Sequence, residues 1–243
     1  MIRLLKIILI FILSVVTVGV VVFLTLVLTK KIDVKDFNFS FGITHSKKVV
    51  VDEEYENSFN KISIKTEAGD IEIKKSDNDK IRLVVYGSKS RTEVSKDSES
   101  LNVVTKSKKC RGFCLNQKID KVIVYLPSEY SNPVNIKTNY GDIKINEVNS
   151  LTANTNYGDI KIASVNNYFR VNTNYGDIKI SKLDINKDSS ASTNFGDIKI
   201  GDTNDIYIQA KTDLGDKDIN SNNKKSNITL KLNTNLGDIE VNN

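Results

Sequence analysis

One eight-residue unit recurs along most of the chain at near-regular spacing, and it limits the fold more than any other feature. The copies read TEAGDIEI at Thr66–Ile73, TNYGDIKI at Thr138–Ile145, Thr155–Ile162 and Thr173–Ile180, TNFGDIKI at Thr193–Ile200, TDLGDKDI at Thr212–Ile219 and TNLGDIEV at Thr234–Val241. From the second copy onward the glycines are 17, 18, 20, 19 and 22 residues apart. A segment that hardly varies, joined by a remainder that stretches, is what a stack of rungs produces. Insertions are tolerated where a coil bulges outward and not where strands stack.

Parity inside each unit says which residues face inward. Val134, Ile136 and Thr138 share one side of a strand, and Ile143 and Ile145 share the inward side after the bend. Later copies repeat this with Leu151, Ala153, Thr155, Ile160 and Ile162, and with Val171, Thr173, Ile178 and Ile180. Alternation with a single apolar face predicts half-buried strands. The expected fold is therefore all-β, a single-stranded parallel β-helix or β-solenoid, with the octapeptide as its strand–corner–strand element. Only two prolines occur, which suits a fold that needs its backbone N–H groups for ladders.

The corner positions each have a chemistry of their own. The glycines Gly69, Gly141, Gly158, Gly176, Gly196, Gly215 and Gly237 allow a positive φ at the bend. The aspartates Asp70, Asp142, Asp159, Asp177, Asp197, Asp216 and Asp238 would stack about 4.8 Å apart. Such a column must either cap backbone N–H groups beside neighbouring lysines or share cations; capping is the expected role, and no metal or cofactor is assigned. The residue before each glycine runs Ala68, Tyr140, Tyr157, Tyr175, Phe195, Leu214 and Leu236, which predicts a partly buried corner column. Interchange of Tyr, Phe and Leu there argues against a catalytic hydroxyl. Outward Lys144, Lys161, Lys179 and Lys199 form a candidate binding strip.

The net charge is +5, from 35 basic and 30 acidic residues. The lysines are dispersed among aspartates rather than gathered with arginines and aromatics, so a nucleic-acid partner is not expected. Residues 7–28 form an uncharged run, IILIFILSVVTVGVVVFLTLVL, after a short tail at 1–6. At about 1.5 Å per residue it is long enough for a bilayer core of about 30 Å, and it exceeds a signal-peptide apolar region. The expectation is one transmembrane α-helix before the solenoid, with the lipid bilayer as a partner. Positive charges flank both sides almost equally, so the C-terminal domain is placed outside the cell from its repetitive β character and closely spaced cysteines. This gives a single-pass cell-membrane location.

Residues 29–58 are expected as a juxtamembrane linker or cap, with Phe37, Phe39 and Phe41 alternating and His45 exposed without a partner. Residues 59–243 form the expected solenoid, with a loop insertion at about 88–120. Cys110 and Cys114 lie in that insertion, with neither a second cysteine pair nor a nearby histidine to complete a zinc site. Outside the cell they would form a local disulfide; in a cytosolic domain they would be free thiols.

From Lys61 to Asn243 the chain resembles the bacterial "putative-adhesin" (YvlB-like) β-helix domain family, whose function is unknown. The features that carry the resemblance are KISIKTEAGDIEIKKSDNDKIRLVVYG, the strand–proline join VIVYLP and the serial NTNYGDIKI units. It implies a right-handed parallel coil tied to the cell envelope, and it supplies no catalytic residues. The function expected is a membrane-anchored, extracellular, non-catalytic scaffold or adhesion module that binds a cell-surface protein or wall polymer. The alternative is an accessory or regulatory protein of envelope-stress signalling working through a membrane or surface partner. An enzyme is not expected, because acidic residues repeat at the corner instead of forming a unique cluster among long loops.

Overall fold

A computed structural model describes Thr17 and residues 44–107, 118–220 and 222–242. The chain divides into two units, Met1–Gly42 and Ile43–Asn243, and the described structure is that of the second apart from Thr17. It opens with β1 (Thr44–His45), β2 (Val49–Tyr55), β3 (Lys61–Lys75), β4 (Ile81–Tyr86), a 3-10 turn at Lys89–Arg91, β5 (Thr92–Lys96), β6 (Ser100–Thr105) and β7 (Lys118–Leu126). The repeats follow as β8 (Pro133–Tyr140), β9 (Ile143–Tyr157), β10 (Ile160–Tyr175), β11 (Ile178–Leu183), β12 (Ser189–Phe195) and β13 (Ile198–Thr203). The chain ends with β14 (Tyr207–Leu214), β15 (Lys217–Ile219), β16 (Thr229–Leu236) and β17 (Ile239–Val241).

The octapeptides stack in parallel and in register. Ile143, Ile160, Ile178, Ile198 and Ile239 lie over one another, as do Ile145, Ile162, Ile180, Ile200 and Val241. All ten are buried and belong to one continuous core. Each such side chain contributes about 1.5–3 kcal/mol on leaving water. Register is fixed by this core, because a slip of one residue would turn every isoleucine outward and every lysine inward.

Rung order does not follow chain order at either end. In the middle, β3 stacks on β8 and the start of β9, then come the rungs that begin within β9 and β10, then β12 with β13. The next rung is β16 with β17, the last in sequence, and β14 with β15 lies outside it. Glu240 and Asn242, at the end of the sequence, therefore lie inside the stack and do not close it. At the other end β6 and β7 pair with the far side of β3. That end is closed by antiparallel strands, β5 on β6, β4 on β7 and β2 on β4.

Two of the expected segments contain strands of the sheet. Within 88–120, expected as a loop insertion, lie the 3-10 turn, β5 and β6, so much of that stretch is an edge hairpin and a rung. Within 29–58, β1 and β2 add strands to the sheet. The segment holding Phe37, Phe39 and Phe41 lies outside the described residues.

The fold class also needs correction. The transmembrane α-helix expected at 7–28 lies outside the described residues except for Thr17, and among the described residues no helix is long and apolar enough to cross a membrane. The described structure is a strand-rich, solenoid-like β domain. The membrane anchor, the lipid bilayer as a partner and the single-pass membrane location lose their structural support with it.

Candidate functional site

The most regular surface of the molecule is the corner column, where each octapeptide turns. Six of its glycines have φ between 144° and 152°, a range that side chains other than glycine rarely adopt. At Gly158 a Cβ would also stand 2.2 Å from the carbonyl oxygen of Gly141. Glycine is thus required twice, by conformation and by the closeness of the rung below. Gly69, at the first corner, has no positive φ; a Cβ there would instead meet the Asp120 backbone at 2.8 Å.

Inside the bend, the threonine hydroxyls donate to a glycine carbonyl of the neighbouring rung, except that Thr66 donates to Gly69 of its own corner. Thr155 reaches Gly141 at 3.2 Å, Thr173 reaches Gly158 at 3.0 Å and Thr234 reaches Gly196 at 3.0 Å. These buried hydroxyls are satisfied without water, as their environment demands. Threonine serves here as a rung-to-rung tie.

The aspartates form a continuous chain of caps. The backbone N–H of Asp142 donates to Asp70 Oδ1 at 2.9 Å, and the same bond links Asp159 to Asp142, Asp177 to Asp159, Asp197 to Asp177, Asp238 to Asp197 and Asp216 to Asp238. Every carboxylate of the column except that of Asp216, in the outermost rung, is therefore committed to the next rung. Burial pushes the Asp159 carboxyl up, but hydrogen bonds from Lys161 and from the Asp177 N–H, with the Lys161 and Lys144 charges, outweigh it and hold it below the usual carboxylate value. Among the described residues no group of three or more His, Cys, Asp or Glu could hold a metal ion. At the first corner Asp70 also meets His45 Nε2 at 2.6 Å, so His45 has a partner that its sequence context did not reveal.

Outside the bend run three exposed columns. The residues before the glycines stack as Ala68, Tyr140, Tyr157, Tyr175, Phe195, Leu236 and Leu214. The four rings are 4.9–5.0 Å apart and within 3–4° of parallel. This corrects the partly buried column expected from parity: Ala68 is buried, but the other six are 38–68% exposed. Strand alternation ceases to apply at a glycine bend, so an inward parity no longer means an inward side chain. Among the described residues these six make up all but one of the exposed large hydrophobic side chains, the other being Val49.

Beside the rings lies an amide ladder. Asn156 Nδ2 donates to Asn139 Oδ1, Asn174 to Asn156, Asn194 to Asn174 and Asn235 to Asn194, at 3.2–3.4 Å. The signal was present as the Asn that five of the seven copies carry after the threonine, but it reads equally well as a turn residue. Past the glycines, Lys144, Lys161, Lys179 and Lys199 stand in one exposed register, bounded by Glu72 below and Glu240 above. Lys161 pairs with Asp159 at 2.9 Å and Lys199 with Glu240 at 3.4 Å. Cys110 and Cys114 lie outside the described residues.

A family model described as Toastrack DUF4097 matches residues 59–243. Solved structures with a similar chain trace include a "putative adhesin" from Bacteroides fragilis, 21% identical, with a TM-score of 0.45, covering 82% of this chain and 100% of that one. Another is a "putative cell adhesion protein" from Clostridium sporogenes, 14% identical, with a TM-score of 0.44, covering 80% and 99%. No curated protein matches the chain.

Proposed function

Starting from the fact that the chain belongs to the Toastrack DUF4097 family over residues 59–243, we propose that its solenoid is a non-catalytic, adhesin-like surface module that grips a linear wall polymer along the corner columns. The observation that carries this reading is the concentration of exposed large hydrophobic side chains in one straight row, Tyr140, Tyr157, Tyr175, Phe195, Leu236 and Leu214. A contiguous apolar stripe edged by polar groups marks an interaction surface rather than ordinary solvated surface.

The geometry narrows what can lie there. The inner ring faces cover one another, so the stripe presents ring edges and tyrosine hydroxyls, not a flat platform for stacking sugars. Each central rung offers the same trio: an asparagine amide, an aromatic edge and a lysine ammonium. They recur about every 4.8 Å along the axis. A ligand that satisfies one rung satisfies the next only if its own repeat is similar. A β-linked glycan running along the axis has a sugar repeat close to one rung, whereas an extended polypeptide advances about 3.3 Å per residue and falls out of step. Acidic groups on the polymer would meet the lysines, and its hydroxyl and amide groups would meet the asparagine ladder.

The test is retention of the full chain on isolated cell-wall polymer, with and without prior protease treatment of the walls. Replacing Tyr140, Tyr157 and Tyr175 together by Ser should weaken retention at least tenfold while far-UV circular dichroism stays unchanged, since the rings are half exposed. Retention equal to the parent would sink the stripe as the binding surface. Loss of parent binding after protease treatment would replace the polymer by a cell-surface protein.

A further inference from the structure

The two ends of the solenoid are finished differently. At the β6–β7 end antiparallel strands cover the last rung. At the other end the last rung is β14 with β15, and among the described residues no strand pairs with the outer edge of either. An uncovered edge is a template for another strand.

The edge is only partly blocked by its own chain. Asn222 imitates a neighbouring strand at one residue: its Oδ1 accepts from the Ile208 N–H and its Nδ2 donates to the Ile208 carbonyl, both at 2.9 Å. Those Ile208 groups therefore point away from β16. By the two-residue alternation of a strand, the N–H and C=O of Ala210 and Thr212 point the same way. No described residue meets them. Ala210 and Ile219 are left partly buried at the end of the core, and Leu214, 68% exposed, is the most exposed large hydrophobic residue described.

We propose that this edge joins a second copy of the chain, tail to tail, with β14 pairing antiparallel to its two-fold mate about Thr212. Two properties of the strand fit one register. Thr212, whose backbone groups point outward, falls opposite Thr212 of the second copy as a hydrogen-bonded pair, with Ala210 facing Leu214 beyond it; the Leu214 carbonyl itself accepts from the Gly237 N–H within its own stack. The intervening outward side chains then fall in non-hydrogen-bonded positions, where opposed side chains come closest, and Lys211 faces the second copy's Asp213 at both sides of the axis. Within one chain Lys211 Nζ already meets Asp213 Oδ1 at 3.0 Å, so the pairing closes an alternating ring of four charges. The second copy's Asp216 corner arrives beside an open cleft of about 650 Å³ lined by Tyr207, Lys211, Lys217, Asn222 and Lys224.

Because the contact is two-fold and uses the same edge of both copies, such pairing stops at two copies instead of growing into a fibre. It does not depend on what the corner stripe binds.

Sedimentation of the full chain tests this through a charge swap. The parent should sediment as a dimer, and Lys211→Asp and Asp213→Lys should each raise the dimer dissociation constant at least tenfold, because each places like charges opposite one another. Mixed in equal amounts, the two variants should regain dimers, since one copy's two acids then face the other copy's two lysines. A monomeric parent, or dimers indifferent to both variants, would overturn the proposal; so would failure of the mixture to reassociate when circular dichroism shows both variants folded.

Discussion

At the level of single residues, the repeated octapeptide turns out to be a list of different obligations. Glycine is required by sterics, and Gly158→Ala should cost about 3 kcal/mol, from backbone strain and from a Cβ driven into the Gly141 carbonyl; urea unfolding measures it. Aspartate is required as a cap. The Asp159 carboxyl has its folded pKa held below its unfolded value, so it contributes stability that is fully present above the unfolded value, about 3.9, and is lost as pH falls through the folded one. Asp159→Asn should therefore flatten the fall in stability below about pH 4; parallel slopes for parent and variant in acid unfolding would contradict this. The glycine and aspartate roles were readable from the sequence because each follows from local chemistry at a bend, whereas threonine was read only as an inward position and its tie joins different rungs. The exposure of Tyr140, Tyr157 and Tyr175 was not, because parity places them inward until the bend is drawn, and the pairing of His45 with Asp70 joins residues 25 apart in the chain.

At the scale of strands, inward and outward faces were legible and rung order was not. Period-two alternation settles which side of β9 or β10 meets the core. It says nothing about which octapeptide lies on which, since near-identical units offer near-identical partners. The insertion of β16 and β17 between β13 and β15 is recorded in the caps: Asp238 bonds to Asp197, 41 residues away, and Asp216 to Asp238, 22 residues away. This order makes the last rung in sequence structurally internal. Removing residues 220–243 should therefore release Tyr207–Ile219 from the sheet, and their amides should then exchange with solvent as in an unfolded chain. Had the rungs stacked in sequence order, those amides would keep their protection. The long segment between Ile73 and Val134 was hard to place for a related reason: β4 and β5 are antiparallel closers, and they lack the octapeptide that identifies a rung.

For the molecule as a whole, the repeated unit makes a straight, rigid edge on which one set of side chains recurs at a fixed interval. A surface of this kind gains strength by repetition, since each rung adds a weak contact already aligned with the last. Charge reversal at Lys144, Lys161, Lys179 and Lys199 to Glu should weaken retention on wall polymer and change its salt dependence, while leaving the fold intact, because all four are exposed and their column already ends in Glu72 and Glu240. Length of the edge should matter as much as its chemistry. Excising residues 158–175 joins Tyr157 to Gly176 and removes one rung, the repeat there being 18 residues, without disturbing either end. The most direct measurement is the affinity of this shortened chain for isolated wall polymer beside that of the parent. A cooperatively folded protein that binds about tenfold more weakly is the expected result; undiminished affinity, or failure of the shortened chain to fold, would contradict a stack of interchangeable rungs that binds along its corner.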